Sequence, residues 1–513
     1  MTSETPSDAI PEDWKILLQE FERRKIAGQA MGGEQKLLKR ASNGKRNARE
    51  MIDLLVDDES FFELGTLVGG ISYNDDAPVA CDAIVGGIAA INGRQVVVAV
   101  EDFTSKGGSI GHGSNAKRVR LARLAAQEQV PYILLLDGAG ARVTNSLERH
   151  PYAPSDLIEI PHLMGKVPTI AVVCGSSAGH GALSGVMMDF VVMLEDATMF
   201  SAGPPLVAAA LGELVSKEDL GSAQMHASVS GVAHNIAKTE RHACELVQDY
   251  LSYLPQNAWQ HAPLSTADTQ ARNLDDILEI IPRNAQMPYD IKKVISRIAD
   301  DEVFFEIQPL YGKSMITGFA RLGGEAIAVV ANQPMVAAGS ITYEAAEKAA
   351  HFIDIANAFH LPVLFLADNP GIMSGSKAEQ HGTIRSAARM YAAQAQLRSP
   401  KLHITLRKAF GFGSSLMAMN PFDHQTVTFA LPGITLGGIP AQGGGNAANV
   451  DEQTALRLAE AEASGAWTAG DTMAYDEIID PRDMRNALLK GLAVAKSRLS
   501  DATQPVLTPT VRP

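Results

Sequence analysis

The chain has 513 residues, 46% of them hydrophobic, which is more than one ordinary core holds and predicts at least two domains. Its formal charge of −14 argues against a nucleic-acid binder. Three scattered cysteines (Cys81, Cys174, Cys244) without C-x-x-C spacing fit neither a disulfide framework nor a zinc site and point to a reducing compartment.

The first residues, MTSETPSDAIPEDW, are polar and acidic and lack the apolar segment of a secretory signal. From 14 to 56, KILLQEF and MIDLLV place apolar residues three and four apart, which predicts a helical arm. Within it KLLKRASNGKRNAR is basic; a solvated helix face is the commoner reading of such a run, an anionic ligand the other. Two β-type runs follow, AIVGGIAAI and QVVVAVED, joined by the hairpin pair Asn92-Gly93. The glycine-rich loop KGGSIGHGSN (106–115) leads into KRVRLARLAAQEQ, read as an amphipathic helix, and then VPYILLLDGAGAR, read as a buried strand. Residues 168–188 carry no formal charge, yet their Gly, Ser, Thr and His content predicts a buried strand, turn and helix rather than a membrane span. Alternating strands and helices predict α/β layering.

An internal repeat organises the rest. VGGIAAINGRQVVVAV resembles ITGFARLGGEAIAVVA with Gly87 opposite Gly318, an offset of 231 that returns at Gly108 and Gly339 and at Asp137 and Asp368. At GSSAGHGALSG the offset becomes 232, setting Gly179-His180-Gly181 opposite Gly411-Phe412-Gly413. The expected division is an N-terminal domain over 1–270, including the helical arm, and a C-terminal domain over 271–513, with a polar, turn-rich linker near 255–290. Because the middle residue varies between the copies, the shared element is the glycine backbone, whose N–H groups at a helix start can bind a developing oxyanion. The competing reading, that these glycines only allow strand and helix to pack closely, loses weight through the duplication. No Ser/Cys/Asp arrangement of triad type lies near His180 in the sequence and no second His stands at i+4, so the ring reads as a pocket wall or orienting group, and no metal site is expected.

Together, SKGGSIG, DGAGAR, SSAGHGA, MFSAGPPLV, LVSKEDLGSAQMHASVSGVAH, ADNPGIMSG, TLRKAFGFGSS, AQGGGNAANV and IIDPRDMR resemble, in order and spacing, the carboxyltransferase (β) subunit of biotin-dependent acyl-CoA carboxylases, propionyl-CoA carboxylase type. The resemblance implies two tandem crotonase-like (ClpP/crotonase) α/β domains, a homo-hexameric core and a cytoplasmic enzyme. It implies movement of a carboxyl group from carboxybiotin to the α-carbon of an acyl-CoA through an enolate and a biotin anion. By matching, Gly179 and His180 supply the N–H pair for the thioester enolate, and Phe412 and Gly413 the pair for the biotin ureido oxygen. Gly107, Gly108 and Ser109 stand where the CoA site is shaped. The family usually has Gly-Gly at Gly179-His180 and Gly-Ala-Tyr-Asp at Phe412 to Ser415. Ser415 therefore replaces an aspartate tied to short acyl chains, which implies a larger or polar acyl group.

The chain contains neither a Met-Lys dipeptide nor a G-x-x-x-x-G-K-[ST] loop. Biotin is accordingly expected on a separate α subunit, whose biotin carboxylase uses the ATP and bicarbonate. The alternatives are a decarboxylase or transcarboxylase subunit using the same site in reverse, and a non-catalytic assembly paralogue.

Overall fold

The computed structural model describes residues 10–70, 79–145, 155–265, 268–419, 423–500 and 504–506. Most of the N-terminal stretch read as lacking a signal, residues 1–9, lies outside them. The chain divides into two compact units, one of residues 1–163, 169–223 and 237–245, the other of 164–168, 224–236 and 246–513.

The first unit opens with three helices, α1 (Glu12–Gln29), α2 (Glu34–Ser42) and α3 (Ala48–Leu55), the last started by a capping box between Asn47 and Glu50. Its strands are β1 (Phe62–Glu63), β2 (Ile84–Ile91), β3 (Arg94–Glu101), β4 (Tyr132–Gly138), β5 (Thr169–Ala178), β6 (Phe190–Leu194), β7 (Thr198–Phe200) and β8 (Asn235–Ala237). They form a sheet of order β1-β2-β3-β4-β5-β6-β8, with β7 beside β5. β2 and β3 are the expected hairpin, with Asn92 and Gly93 at φ 48° and 75°. β3 to β6 pair in parallel, and their runs of Val, Ile and Leu are buried throughout, as strands covered on both faces require. The covering helices that matter below are α4 (His112–Glu128), α5 (Asp156–Leu163) and α6 (His180–Val186).

The second unit repeats this plan. Its strands β9 (Phe304–Ile307), β10 (Met315–Leu322), β11 (Glu325–Asn332), β12 (Val363–Asn369), β13 (Lys401–Phe410), β14 (Gln425–Ala430), β15 (Thr435–Gly437) and β16 (Glu477–Ile478) run in the order β16-β14-β13-β12-β11-β10-β9, with β15 beside β13. Helices α7 (Tyr343–Ala358), α8 (Thr383–Ala395), α9 (Gly411–Leu416) and α10 (Met484–Ser500) accompany them. The repeat reaches atomic detail. In the first hairpin Asp57 accepts the N–H groups of Asn92 and Gly93 at 2.8 and 2.7 Å; in the second, Asp300 accepts those of Gly323 and Gly324 at 3.0 and 2.7 Å.

Two expectations change. The polar, turn-rich stretch 255–290, expected to hold the linker, falls in the second compact unit, where the buried Arg485 guanidinium donates to the carbonyls of Asp268, Gln270 and Ile298. The second change concerns α4, whose cations do not all face water: Lys117 and Arg118 are buried. Each has partners that offset its desolvation, Lys117 the carbonyls of Ile84 and Gly65, Arg118 two carboxylates.

Candidate active site

In the first unit the turn after β5 is set by Gly179, at φ 56° and ψ −115°, a conformation that favours glycine. Its N–H donates to the carbonyl of Phe200 on β7 at 3.0 Å, so this donor is consumed inside the fold. The donors left by the turn are those of His180 and Gly181, the first two residues of α6, which have no intrahelical acceptor. Of the expected donors Gly179 and His180, the first is thus committed to Phe200. Gly181 fits because a Cβ there would approach Glu101 Oε1 to 3.0 Å and Ser177 Oγ to 3.3 Å.

Beneath this turn runs a chain of charged groups. His180 Nε2 pairs with Asp156 Oδ1. Arg118 Nε donates to Asp156 Oδ2 at 2.8 Å and its Nη1 to Glu101 Oε1 at 2.9 Å. Glu101 Oε2 accepts the Asp137 N–H at 2.9 Å, and the Asp137 carboxylate meets Arg40 Nη1 at 2.8 Å. Burial opposes ionisation of Asp156, but Arg118 and His180 outweigh it and hold the carboxyl well below the usual range. Glu101 goes the other way: burial pushes it up against the pull of Arg118. Asp156, Arg118 and Glu101 were not singled out in the sequence. Asp156 stands 24 residues before His180 on another element, and no spacing rule marks such a pair.

The loop at 106–109 is shaped by three successive left-handed residues, Lys106, Gly107 and Gly108, at φ 48°, 63° and 64°. Only Gly108 is sterically obliged, since a Cβ there would lie 2.3 Å from the Asp137 carbonyl oxygen, whereas Gly107 faces open space. The second copy agrees: Ala337 and Ala338 hold φ 47° and 54°, and glycine returns at Gly339, whose Cβ would lie 2.2 Å from the Asp368 oxygen. Gly107 lines a cavity of about 530 Å³ with Lys36, Lys39, Arg40, Lys45 and Lys106, five cations against the single carboxylate of Asp137. Part of the basic stretch in the arm thus faces a cavity, the arrangement an anionic ligand needs. Ser109 is buried, its Oγ donating to the Lys106 carbonyl at 2.8 Å and accepting from Arg142 at 3.2 Å.

In the second unit the turn after β13 has Gly411 at φ 53° and opens α9. Phe412 is 77% exposed. Gly413 packs closely on Asn369, where a Cβ would lie 2.2 Å from Oδ1. Asn369 is fixed in turn, its Nδ2 donating to Asn332 Oδ1 at 3.0 Å and its Oδ1 accepting the Gly371 N–H at 3.1 Å. Ser415 is half-buried, and its carbonyl accepts from Gln394 at 3.3 Å. Among the described residues no group of three or more His, Cys, Asp or Glu could hold a metal ion, and the three cysteines are free and buried.

Residues 39–506 match the carboxyl transferase domain. The chain belongs to the carboxyl transferase family. Among characterised proteins, it is 34% identical to the methylmalonyl-CoA decarboxylase subunit alpha of Veillonella parvula over 91% of this chain and 94% of that one. It is 33% identical to the propionyl-CoA carboxylase beta chain of Cereibacter sphaeroides over 94% and 97%. Among solved structures, the transcarboxylase 12S hexamer with methylmalonyl-coenzyme A and methylmalonic acid bound superposes with a TM-score of 0.89 at 29% identity, covering 98% of both chains. The protein is a carboxyltransferase with two crotonase-like α/β domains.

Proposed function

We propose that this carboxyltransferase moves a carboxyl group between carboxybiotin, presented by a separate biotin carboxylase and carrier subunit that consumes ATP and bicarbonate, and the α-carbon of an acyl-CoA. The reading rests on one observation above all. Both copies of the repeat end a long central strand in a glycine turn that leaves first-turn N–H groups without intrahelical acceptors, at His180 and Gly181 and at Phe412 and Gly413.

Two oxyanions arise when a carboxyl group passes between a thioester and a ureido ring, and each is suited to a pair of fixed donors. One such donor is worth on the order of 3 kcal/mol in the transition state. His180 and Gly181 are assigned to the thioester oxygen, because β5, which ends at this turn, also contributes Gly175 to the wall of the basic cavity. Five cations there suit the phosphates of CoA. Phe412 and Gly413 are assigned to the ureido oxygen of biotin, a second substrate whose ring nitrogen accepts the α-proton during carboxyl transfer. The half-buried Ser415 itself carries no negative charge, which suits a larger or polar acyl group. A homo-hexamer is the assembly proposed, as in the transcarboxylase 12S relative. The decarboxylase relative bears on direction: the same donors serve the reverse reaction, and the partner subunit decides which way it runs.

The test uses the purified protein with malonyl-CoA or methylmalonyl-CoA, labelled in the free carboxyl, and free biotin as acceptor. Label is expected to leave the thioester only when biotin is present. Tight CoA binding without transfer to biotin would refute the reading.

A further inference from the structure

We propose that His180 is a side-chain base, which gives this protein a second activity: exchange of the α-proton of an acyl-CoA with solvent in the absence of any biotin substrate. The inference rests on the proposed assignment of the His180 and Gly181 N–H groups to the thioester oxygen.

Asp156 is fully buried on α5, and its two carboxylate oxygens are divided between partners. Oδ2 accepts from Arg118 at 2.8 Å and from Ser184 at 3.3 Å, while Oδ1 takes His180 Nε2. With Nε2 directed at the Asp156 carboxylate, Nδ1 is the ring nitrogen left to exchange a proton with a substrate. Nδ1 has no partner among the described residues and is not sealed in the interior; the side chain is 18% exposed. Histidine oriented by a buried aspartate, with its other nitrogen open, is the arrangement of a general base.

The repeat shows that the turn itself does not require this pair. At the equivalent position Phe412 has no titratable group and lies 77% exposed. The first unit instead devotes Arg118 and Glu101 to fixing Asp156, and thereby the ring, in one orientation.

The chemistry balances without a further reactant. On the proposed assignment the His180 N–H is one of the two donors to the thioester oxygen, and the exchange requires Nδ1 of the same residue to reach the adjacent α-carbon. The α C–H bond breaks, its proton passes to Nδ1, and the electron pair moves onto the thioester oxygen held by the backbone donors. Return of a solvent deuteron from Nδ1 to carbon restores the thioester with one hydrogen exchanged. Asp156 touches no substrate and is a positioning residue.

The experiment follows the mass of acetyl-, propionyl- and butyryl-CoA in D2O with the purified protein alone, beside carboxyl transfer from malonyl- or methylmalonyl-CoA to free biotin by the same preparation. Deuterium is expected at the α-position of the thioester whose carboxylated form serves as donor. His180→Gln keeps an amide donor for Asp156 but accepts no proton. It is expected to lower the ratio of exchange to transfer about 10²-fold. Asp156→Asn should lower that ratio less, by mis-setting the tautomer. A wild-type protein that transfers carboxyl to biotin but takes up no deuterium overturns the inference and leaves the proposed function standing. So does an unchanged ratio in His180→Gln. A protein that shows neither transfer nor exchange overturns both.

Discussion

Lys117 and Lys348, 231 residues apart, are one side chain in two copies: each places Nζ 2.8 Å from the carbonyl oxygen of the equivalent hairpin residue, Ile84 and Met315. Lys348 also donates to Gln308 and Tyr311, and Lys117 to Gly65. A buried carbonyl that loses its donor costs about 1–3 kcal/mol. Lys348→Met, which strips three carbonyls, should therefore destabilise the protein more than Lys117→Met, which strips two. Denaturant midpoints of the two variants decide it.

The glycine loop separates two residues that look alike in the sequence. Gly108→Ala forces a Cβ to 2.3 Å from the Asp137 oxygen, and the loop must shift, moving the cavity wall with it. Gly107→Ala meets no atom and adopts a conformation that Ala338 already holds in the second unit, at a cost of about 1 kcal/mol. Gly108→Ala is expected to raise the KM for acyl-CoA at least tenfold and Gly107→Ala by much less, as steady-state kinetics will show.

Burial pushes the Asp189 carboxyl up to about 7, against the Thr169 backbone and side-chain hydrogen bonds that favour its ionised form. A raised acid lends stability below its unfolded value of about 4 and loses it as pH rises through about 7. Asp189→Asn keeps an acceptor for the Thr169 N–H, which lies 2.9 Å from the carboxylate. The variant should gain on the wild type between pH 4 and pH 7, by on the order of 4 kcal/mol, and hold that gain above pH 7. Unfolding curves at pH 5, 7 and 9 measure it.

Charge in the basic cavity is testable apart from chemistry. Lys36→Glu combined with Lys39→Glu reverses two of the five cations and should weaken CoA binding tenfold or more, with a defect that narrows as salt is added. Calorimetric titration of CoA at low and high salt gives both numbers. Unchanged binding would place CoA elsewhere.

What the sequence revealed, and what it hid, divides along physical lines. Strands, hairpins and the repeat were legible because they depend on apolar runs and on glycines at fixed offsets; Gly87 and Gly318 both lie where a Cβ would strike the neighbouring strand, at 2.0 and 2.4 Å. Partner choice was not legible. Arg118 reads as one more cation on a helix face, yet it is fully buried, because Asp156 and Glu101 are brought to it by other elements. The partner of His180, Asp156, was hidden for the same reason: it comes from a separate helix. The bond that occupies the Gly179 N–H, to the Phe200 carbonyl, was equally hidden, because only the pairing of β5 with β7 creates it.

The central claim is that backbone N–H groups in each half hold the reacting oxyanions, and Phe412 offers the most direct test, because its exposed side chain can be changed without disturbing a core. Phe412→Ala retains the N–H; Phe412→Pro, at the second position of α9 where proline fits a helix start, removes it. In transfer of label from malonyl-CoA or methylmalonyl-CoA to free biotin, Phe412→Pro is expected to fall about 10²-fold or more below Phe412→Ala, with CoA affinity equal in both. Equal transfer rates in the two variants would contradict the account.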